Sequence, residues 1–305
     1  MSDLRGPYPE FITGSTSAKE LRYRAFPKGG PGVAVALGGG FSRGFAHLGV
    51  LEVLKEEQIP VAAIVGASIG SLLGAAYAEG IPIQTLCELG REVRIRDFIR
   101  PRHSHPAQAA KDRIGQFVSD WFRTQNVEEL PIPTTIVATD LDSGAPHPFT
   151  RGPLDVAIRA SCAFPGLFKP VAYDGRMLAD GCIVTPVPTE VAAGMTADCV
   201  LGVMVDANRN RPSSPDSIVQ VIGKTLMTAP KPASPSWMTK ADLLLEPAVH
   251  HIDWHDFSCV DEAYSAGKDA MRRALPDLRE LLALRSKQRI SAGTPGHTQR
   301  GRVSR

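Results

Sequence analysis

A serine attacks a carbonyl when its hydroxyl stands clear of the chain, a base takes its proton, and donors hold the charge that develops. Ser68 meets the first of these conditions. An apolar run, Ala62-Ala63-Ile64-Val65, leads into Gly66-Ala67-Ser68-Ile69-Gly70 and then Ser71-Leu72-Leu73-Gly74-Ala75-Ala76-Tyr77-Ala78. The pattern predicts a buried strand, a tight turn and a helix packed closely on the sheet. Gly66 and Gly70 flank the serine because a Cβ on either side of so sharp a reversal would clash. Such a turn lifts the Ser68 hydroxyl above the carboxyl end of the sheet and aims the first helix amides at the group under attack. In a chain with 28 glycines a G-x-S-x-G arises by chance, so the flanking strand and helix carry the argument for a nucleophile.

The donors have a candidate in Gly38-Gly39-Gly40-Phe41-Ser42-Arg43-Gly44, a loop between an apolar strand over 33–37 and a helical pattern over 46–57. Its amides converge on a helix N-terminus, and three tasks fit such a loop. A dinucleotide fingerprint needs G-x-G-x-x-G, which no register supplies. A P-loop needs Gly-Lys followed by Ser or Thr, and Gly44-Phe45 breaks it. An oxyanion hole needs only closely approaching glycines beside a nucleophile, and Ser68 is that nucleophile.

The base has two candidates. A standard α/β-hydrolase order would place Asp180 and then His250, His251 or His255 downstream of the serine. Those histidines lie in a polar stretch, Val249-His250-His251-Ile252-Asp253-Trp254-His255-Asp256-Phe257, which reads as surface loop. The alternative is Asp180 alone. An Asp before Gly is commonly a turn residue, but the apolar Met177-Leu178-Ala179 ends at Asp180-Gly181 and would bring the carboxylate to the same sheet edge as Ser68.

These groups need a scaffold, and strand–loop–helix units at Gly38 and again at Ser68 predict a parallel sheet covered by helices. Further strands are expected over 134–139, 177–179, 200–205 and 242–245. Helices are expected within 83–123 (broken by a basic linker at 100–106), over 154–160 and over 260–284, and Pro/Ser-rich loops over 208–216 and 229–236. Residues 1–31 read as a loosely ordered arm, 32–284 as the catalytic domain and 285–305 as a basic disordered tail. At 305 residues, 43% hydrophobic and net +2, the chain has an ordinary globular balance, and its interleaved charges argue against nucleic acid. The five cysteines form no C-x-x-C unit, so no metal site and a reducing, cytoplasmic setting are expected. The polar, Pro/Gly-rich segment 1–30 does not read as a secretory signal and no window reaches the length of a membrane span, so neither is expected.

Taken together, Gly38-Gly39-Gly40-Phe41-Ser42-Arg43-Gly44-Phe45-Ala46-His47-Leu48-Gly49-Val50-Leu51, Gly66-Ala67-Ser68-Ile69-Gly70 and Asp180-Gly181 resemble the patatin-like phospholipase family. The likeness is to small bacterial members related to the catalytic domain of neuropathy target esterase. Ala138-Thr139-Asp140-Leu141, 157–166 and 252–257 agree, so the resemblance covers roughly residues 32–275. It implies a three-layer α/β/α fold with a mostly parallel central sheet, and hydrolysis of lipid acyl esters without metal or cofactor. By position it implies Ser68 as nucleophile and Asp180 as base, without histidine. Gly38, Gly39, Gly40 and Phe41 would form the oxyanion hole, braced by Arg43, with Gly66, Gly70 and Gly181 as motif glycines. Phe41 and Ser42 stand where many members have small residues, and Cys182 stands where the family has Gly or Ala. An acyltransferase on the same dyad and a non-catalytic regulator with this fold are the other classes. The basic tail, six cations and no acid from Arg285 to Arg305, reads first as a solvated segment with no task, and the sharper alternative is weak peripheral contact with an anionic membrane.

Overall fold

Val33-Ala34-Val35-Ala36-Leu37 has no exposed residue, and its side chains divide between two apolar clusters. Val33, Val35 and Leu37 join the larger one, while Ala34 and Ala36 join a thinner one with Ala63, Val65, Val187 and Ala192. A strand that buries both alternating faces lies inside a sheet covered on both sides. The computed structural model of the chain describes residues 31–93, 113–205, 221 and 236–292. It has one eight-stranded sheet with flanking helices.

The strands are β1 (Val33–Leu37), β2 (Val61–Ala67), β3 (Thr134–Asp140), β4 (Pro146–Phe149), β5 (Val171–Tyr173), β6 (Arg176–Asp180), β7 (Cys199–Val203) and β8 (Leu243–Leu245). They run in the order β5-β6-β3-β2-β1-β7-β8, with β4 paired to β3. From β3 to β8 all neighbours are parallel. The β4, β5 and β6 pairings are antiparallel. The mostly parallel sheet between helical layers matches the expected architecture; the antiparallel margin was not legible in the sequence.

The helices are α1 (Phe45–Glu56), α2 (Ile69–Glu79), α3 (Ile83–Glu92), α4 (Arg113–Trp121), α5 (Leu154–Ser161), α6 (Thr189–Ala193), α7 (Ser236–Thr239) and α8 (Val260–Ala292). The tightest packing is between α1 and α8. A Cβ on Gly49 would come within 2.0 Å of Tyr264 O, and one on Gly267 within 1.9 Å of Ala46 O, so the two backbones touch. Above that contact Lys268 and Arg272 both pair with Glu56.

The last helix corrects one boundary. It continues past Leu284 to Ala292, so the basic segment begins as helix. Arg285 to Ala292 contain no Gly or Pro, and an established helix propagates readily through Arg, Ser, Lys and Gln. Arg285 also pairs with Asp242 at 3.1 Å. Residues 1–30, the linker at 100–106, the loops over 208–216 and 229–235, and 293–305 lie outside the described residues. No helix among the described residues is long and apolar enough to cross a membrane.

Candidate active site

The register of β3 brings the two reactive side chains together. Val137 pairs with Ala67, the last residue of β2, and the next residue, Ala138, pairs with Asp180, the last of β6. The carboxyl ends of β2 and β6 therefore meet on consecutive residues of β3. Ser68 follows Ala67 immediately, and its Oγ donates to Asp180 Oδ2 at 2.6 Å. Both side chains are buried, Ser68 at 8% exposure and Asp180 at 1%.

Ser68 sits on a strained turn, with φ 54° and ψ −130° in a residue that carries a Cβ. Such a conformation persists only where the surroundings over-determine it. Here they do so through its backbone. Ser68 N–H donates to Ser161 Oγ at 3.0 Å, and Ser161 Oγ in turn donates to Val137 O at 2.6 Å. Ser68 O accepts from the Ser71 amide and from Ser71 Oγ. The flanking glycines behave as expected. A Cβ on Gly66 would lie 2.4 Å from Ser71 Cα, and one on Gly70 2.3 Å from Leu37 O.

Asp180 is fixed at every polar atom. Its amide donates to Ala163 O, its carbonyl accepts from Thr139 Oγ1, and Oδ1 accepts from the Cys182 amide at 2.9 Å. Burial raises its pKa from 3.8 to about 6, and the bonds from Ser68 and Cys182 oppose only part of that rise.

The glycine loop passes directly over this pair. A Cβ on Gly39 would lie 3.2 Å from Ser68 Cβ and 2.2 Å from Cys182 Sγ, so only glycine lets the loop approach so closely. Not every expected donor is free. Gly38 N–H continues the sheet to Val203 O at 3.1 Å, and Arg43 N–H closes a turn onto Gly40 O. The amides of Gly39 and Gly40 have no hydrogen-bond partner among the described residues. The sequence could not tell these apart, because the Val203 contact comes from a strand far along the chain.

Phe41 takes a positive φ of 51°. Its ring packs edge-on against Phe164 at 5.3 Å and Trp254 at 4.8 Å between centroids. The segment carrying Trp254 is bound to the same loop. Ser42 donates its amide to Trp254 O and its hydroxyl to Asp253 O and Trp254 O, and the buried Arg43 donates from Nε to Ile252 O at 2.7 Å. Arg43 thus braces the loop by tying it to 252–254, while its own amide is spent on the Gly40 turn.

The patatin-like phospholipase model matches residues 35–193, just over half of the chain. The chain belongs to the patatin-like phospholipase family. It is 39% identical over 186 residues to an uncharacterized NTE family protein of Mycobacterium tuberculosis, across 60% of this chain and 51% of that one. It is 32% identical over 184 residues to human patatin-like phospholipase domain-containing protein 6, across 57% of this chain and 13% of that one. The chain therefore spans about half the length of its mycobacterial relative. VipD from Legionella pneumophila superposes with a TM-score of 0.46 at 12% identity, over 86% of this chain and 68% of that chain.

Gly38–Gly40, Gly66, Ser68, Gly70, Asp180 and Gly181 lie together at the ends of β1, β2 and β6, where Ser68 meets Asp180. The histidines of the triad alternative do not join them: His250, His251 and His255 are exposed, and His251 bonds Glu262 at 2.6 Å. Among the described residues neither Ser68 nor Asp180 has an imidazole partner. Sequence reasoning missed Ser161. It lies within the family-like segment 157–166, at the end of the amphipathic α5, and that was the signal available. No cluster of metal-binding side chains occurs among the described residues.

Proposed function

We propose that this patatin-like chain is a serine lipid acyl hydrolase acting on phospholipid, lysophospholipid or related ester carbonyls. The observation that carries the reading is the direct 2.6 Å hydrogen bond from buried Ser68 to buried Asp180, beneath the amides of Gly39 and Gly40, which have no partner among the described residues. The family supports a lipid ester as substrate, and the aromatic group Phe41, Phe164 and Trp254 supports an apolar acyl chain beside the serine.

In the proposed reaction Asp180 Oδ2 accepts the Ser68 proton as Oγ attacks the ester carbonyl. The Gly39 and Gly40 amides receive the tetrahedral oxyanion. Collapse expels the alcohol, which takes the proton from Asp180 and leaves an acyl-Ser68 ester. Water then attacks this ester, Asp180 takes its proton, and the fatty acid leaves as Ser68 regains its own. A carboxylate is a weak base in water, and the upward shift to about 6 brings it closer to the strength the step requires. The peripheral membrane contact suggested by the basic C-terminal residues is part of the same reading, since the substrate resides in a lipid surface.

The test is a panel of phospholipids, lysophospholipids and simple esters, incubated with the wild-type chain and with Ser68→Ala. Fatty acid release by the wild type alone is expected. Release by both, or by neither, refutes the reading, and acyl transfer to an added alcohol in preference to water converts it to the acyltransferase.

A further inference from the structure

One ionisable ring beside the site has no part in that reaction. His47 lies in α1 with no exposed surface, and its Nε2 stands 2.8 Å from Gly38 O. A carbonyl only accepts, so Nε2 carries the proton. Burial lowers the ring's pKa to about 4, which keeps it neutral at ordinary pH. Nδ1 is then a bare acceptor, buried and without a hydrogen-bond partner among the described residues. A leucine would fill this helical position without that penalty. What the imidazole adds is one donor on one carbonyl.

That carbonyl belongs to the Gly38–Gly39 peptide. In a trans peptide C=O and N–H point in opposite directions, so fixing Gly38 O also fixes Gly39 N–H. The bond from Gly38 N–H to Val203 O holds the preceding peptide and leaves this one free to rotate between two residues without side chains. Gly70 leaves room for the arrangement, since a Cβ there would lie 2.6 Å from Gly38 O. Donation into the carbonyl also polarises the peptide and strengthens its N–H as a donor.

We infer that His47 is a positioning residue of the oxyanion hole, its Nε2–H holding the Gly38 carbonyl so that Gly39 N–H faces the alkoxide formed when Ser68 attacks. The inference rests on the assignment of Ser68 as nucleophile given above.

The experiment compares the full-length wild type with His47→Leu, which removes the donor, and His47→Gln, whose Nε2 amide can reach the same carbonyl. Melting temperature, kcat, KM and the rate of fluorophosphonate labelling at Ser68 are measured for each. His47→Leu is expected to stay folded with KM within about twofold. Its kcat and labelling rate should fall about 10–100-fold, less than the roughly 10²–10³ that follows loss of a donor outright. His47→Gln should recover most of that loss. A folded His47→Leu with kcat within about threefold of wild type overturns the inference, as does His47→Gln no better than His47→Leu. If His47→Leu does not fold, His47→Asn, with its amide one methylene shorter, replaces it under the same criteria. A wild type that fluorophosphonate does not label overturns the nucleophile and this inference together, whereas labelling unaffected by His47 substitution overturns this inference alone.

Discussion

Asp180→Asn should abolish turnover while making the folded protein more stable at neutral pH. The magnitude follows from the raised pKa. The carboxyl ionises near 3.8 when unfolded and at about 6 in the fold, because burial penalises its charge. Between those values the native state binds more protons than the unfolded state, so this group's contribution is fully present below pH 3.8 and is lost as pH rises through 6. The full gap corresponds to roughly 3 kcal/mol, of which about 2 kcal/mol falls between pH 4 and pH 7. Wild-type stability alone will not reveal it. The pKa of His47 moves the other way, from 6.5 down to about 4, and its contribution grows over nearly the same interval. The difference between wild type and Asp180→Asn cancels the His47 contribution and leaves that of Asp180. Guanidinium denaturation of both chains at intervals from pH 4 to 7.5 measures it, and the variant should gain about 2 kcal/mol relative to wild type across that range. The companion measurement is kcat/KM of the wild type, which should fall below pH 6 with unit slope as the base is protonated. A stability difference that stays flat, or an acid limb near pH 4, refutes a buried base with a raised pKa.

Fluorophosphonate should label the chain once, Ser68→Ala should abolish the labelling, and joint replacement of His250, His251 and His255 should leave most turnover, as mass spectrometry and initial rates will show. Gly39→Ala should lower kcat about 10²–10³-fold, because its Cβ meets Cys182 Sγ at 2.2 Å and the loop must move off Ser68; substrate kinetics at constant fold, checked by circular dichroism, tests this. Ser161→Ala leaves the Ser68 amide without its acceptor in a buried turn and should lower the melting temperature, corresponding to about 1–3 kcal/mol, together with kcat. Anionic vesicles should co-sediment the full chain at low salt and release it at high salt, and a chain ending at Ala292, which keeps the helical cations and drops Arg300, Arg302 and Arg305, should bind less.

The legible parts of the fold are those in which chemistry and local geometry constrain the same residues. The β2 strand, the Ser68 turn and α2 had to be read together, because a serine on so tight a reversal needs small neighbours before and after it. Asp180 was legible because an apolar strand stopped at it. The margin was harder. Pro146-His147-Pro148-Phe149 argues against a strand, yet β4 pairs with β3 alone, and a one-sided strand tolerates proline. Val171–Tyr173 is too short to display a period. The donor assignment failed at Gly38 for a different reason: a backbone amide carries no sequence mark, and its partner Val203 was assigned by the β1–β7 pairing. Ser161 and His47 likewise act through atoms of distant backbone, which no spacing rule reveals.

The antiparallel β6 also explains how a serine could dispense with histidine. Because β3 lies between β2 and β6, their backbones stand two strand spacings, about 10 Å, apart, and the acid must come level with the serine for the two side chains to meet. Here β6 runs against β3 and delivers Asp180 to the residue next to the one that pairs with Ala67. The carboxylate then reaches Ser68 Oγ at 2.6 Å, a separation that admits no ring. The surrounding fold keeps the acid out of water, and that burial raises its pKa towards the working range of a base although the Ser68 bond itself pulls it down. The antiparallel margin that sequence reasoning overlooked is thus the part of the fold on which the proposed dyad depends.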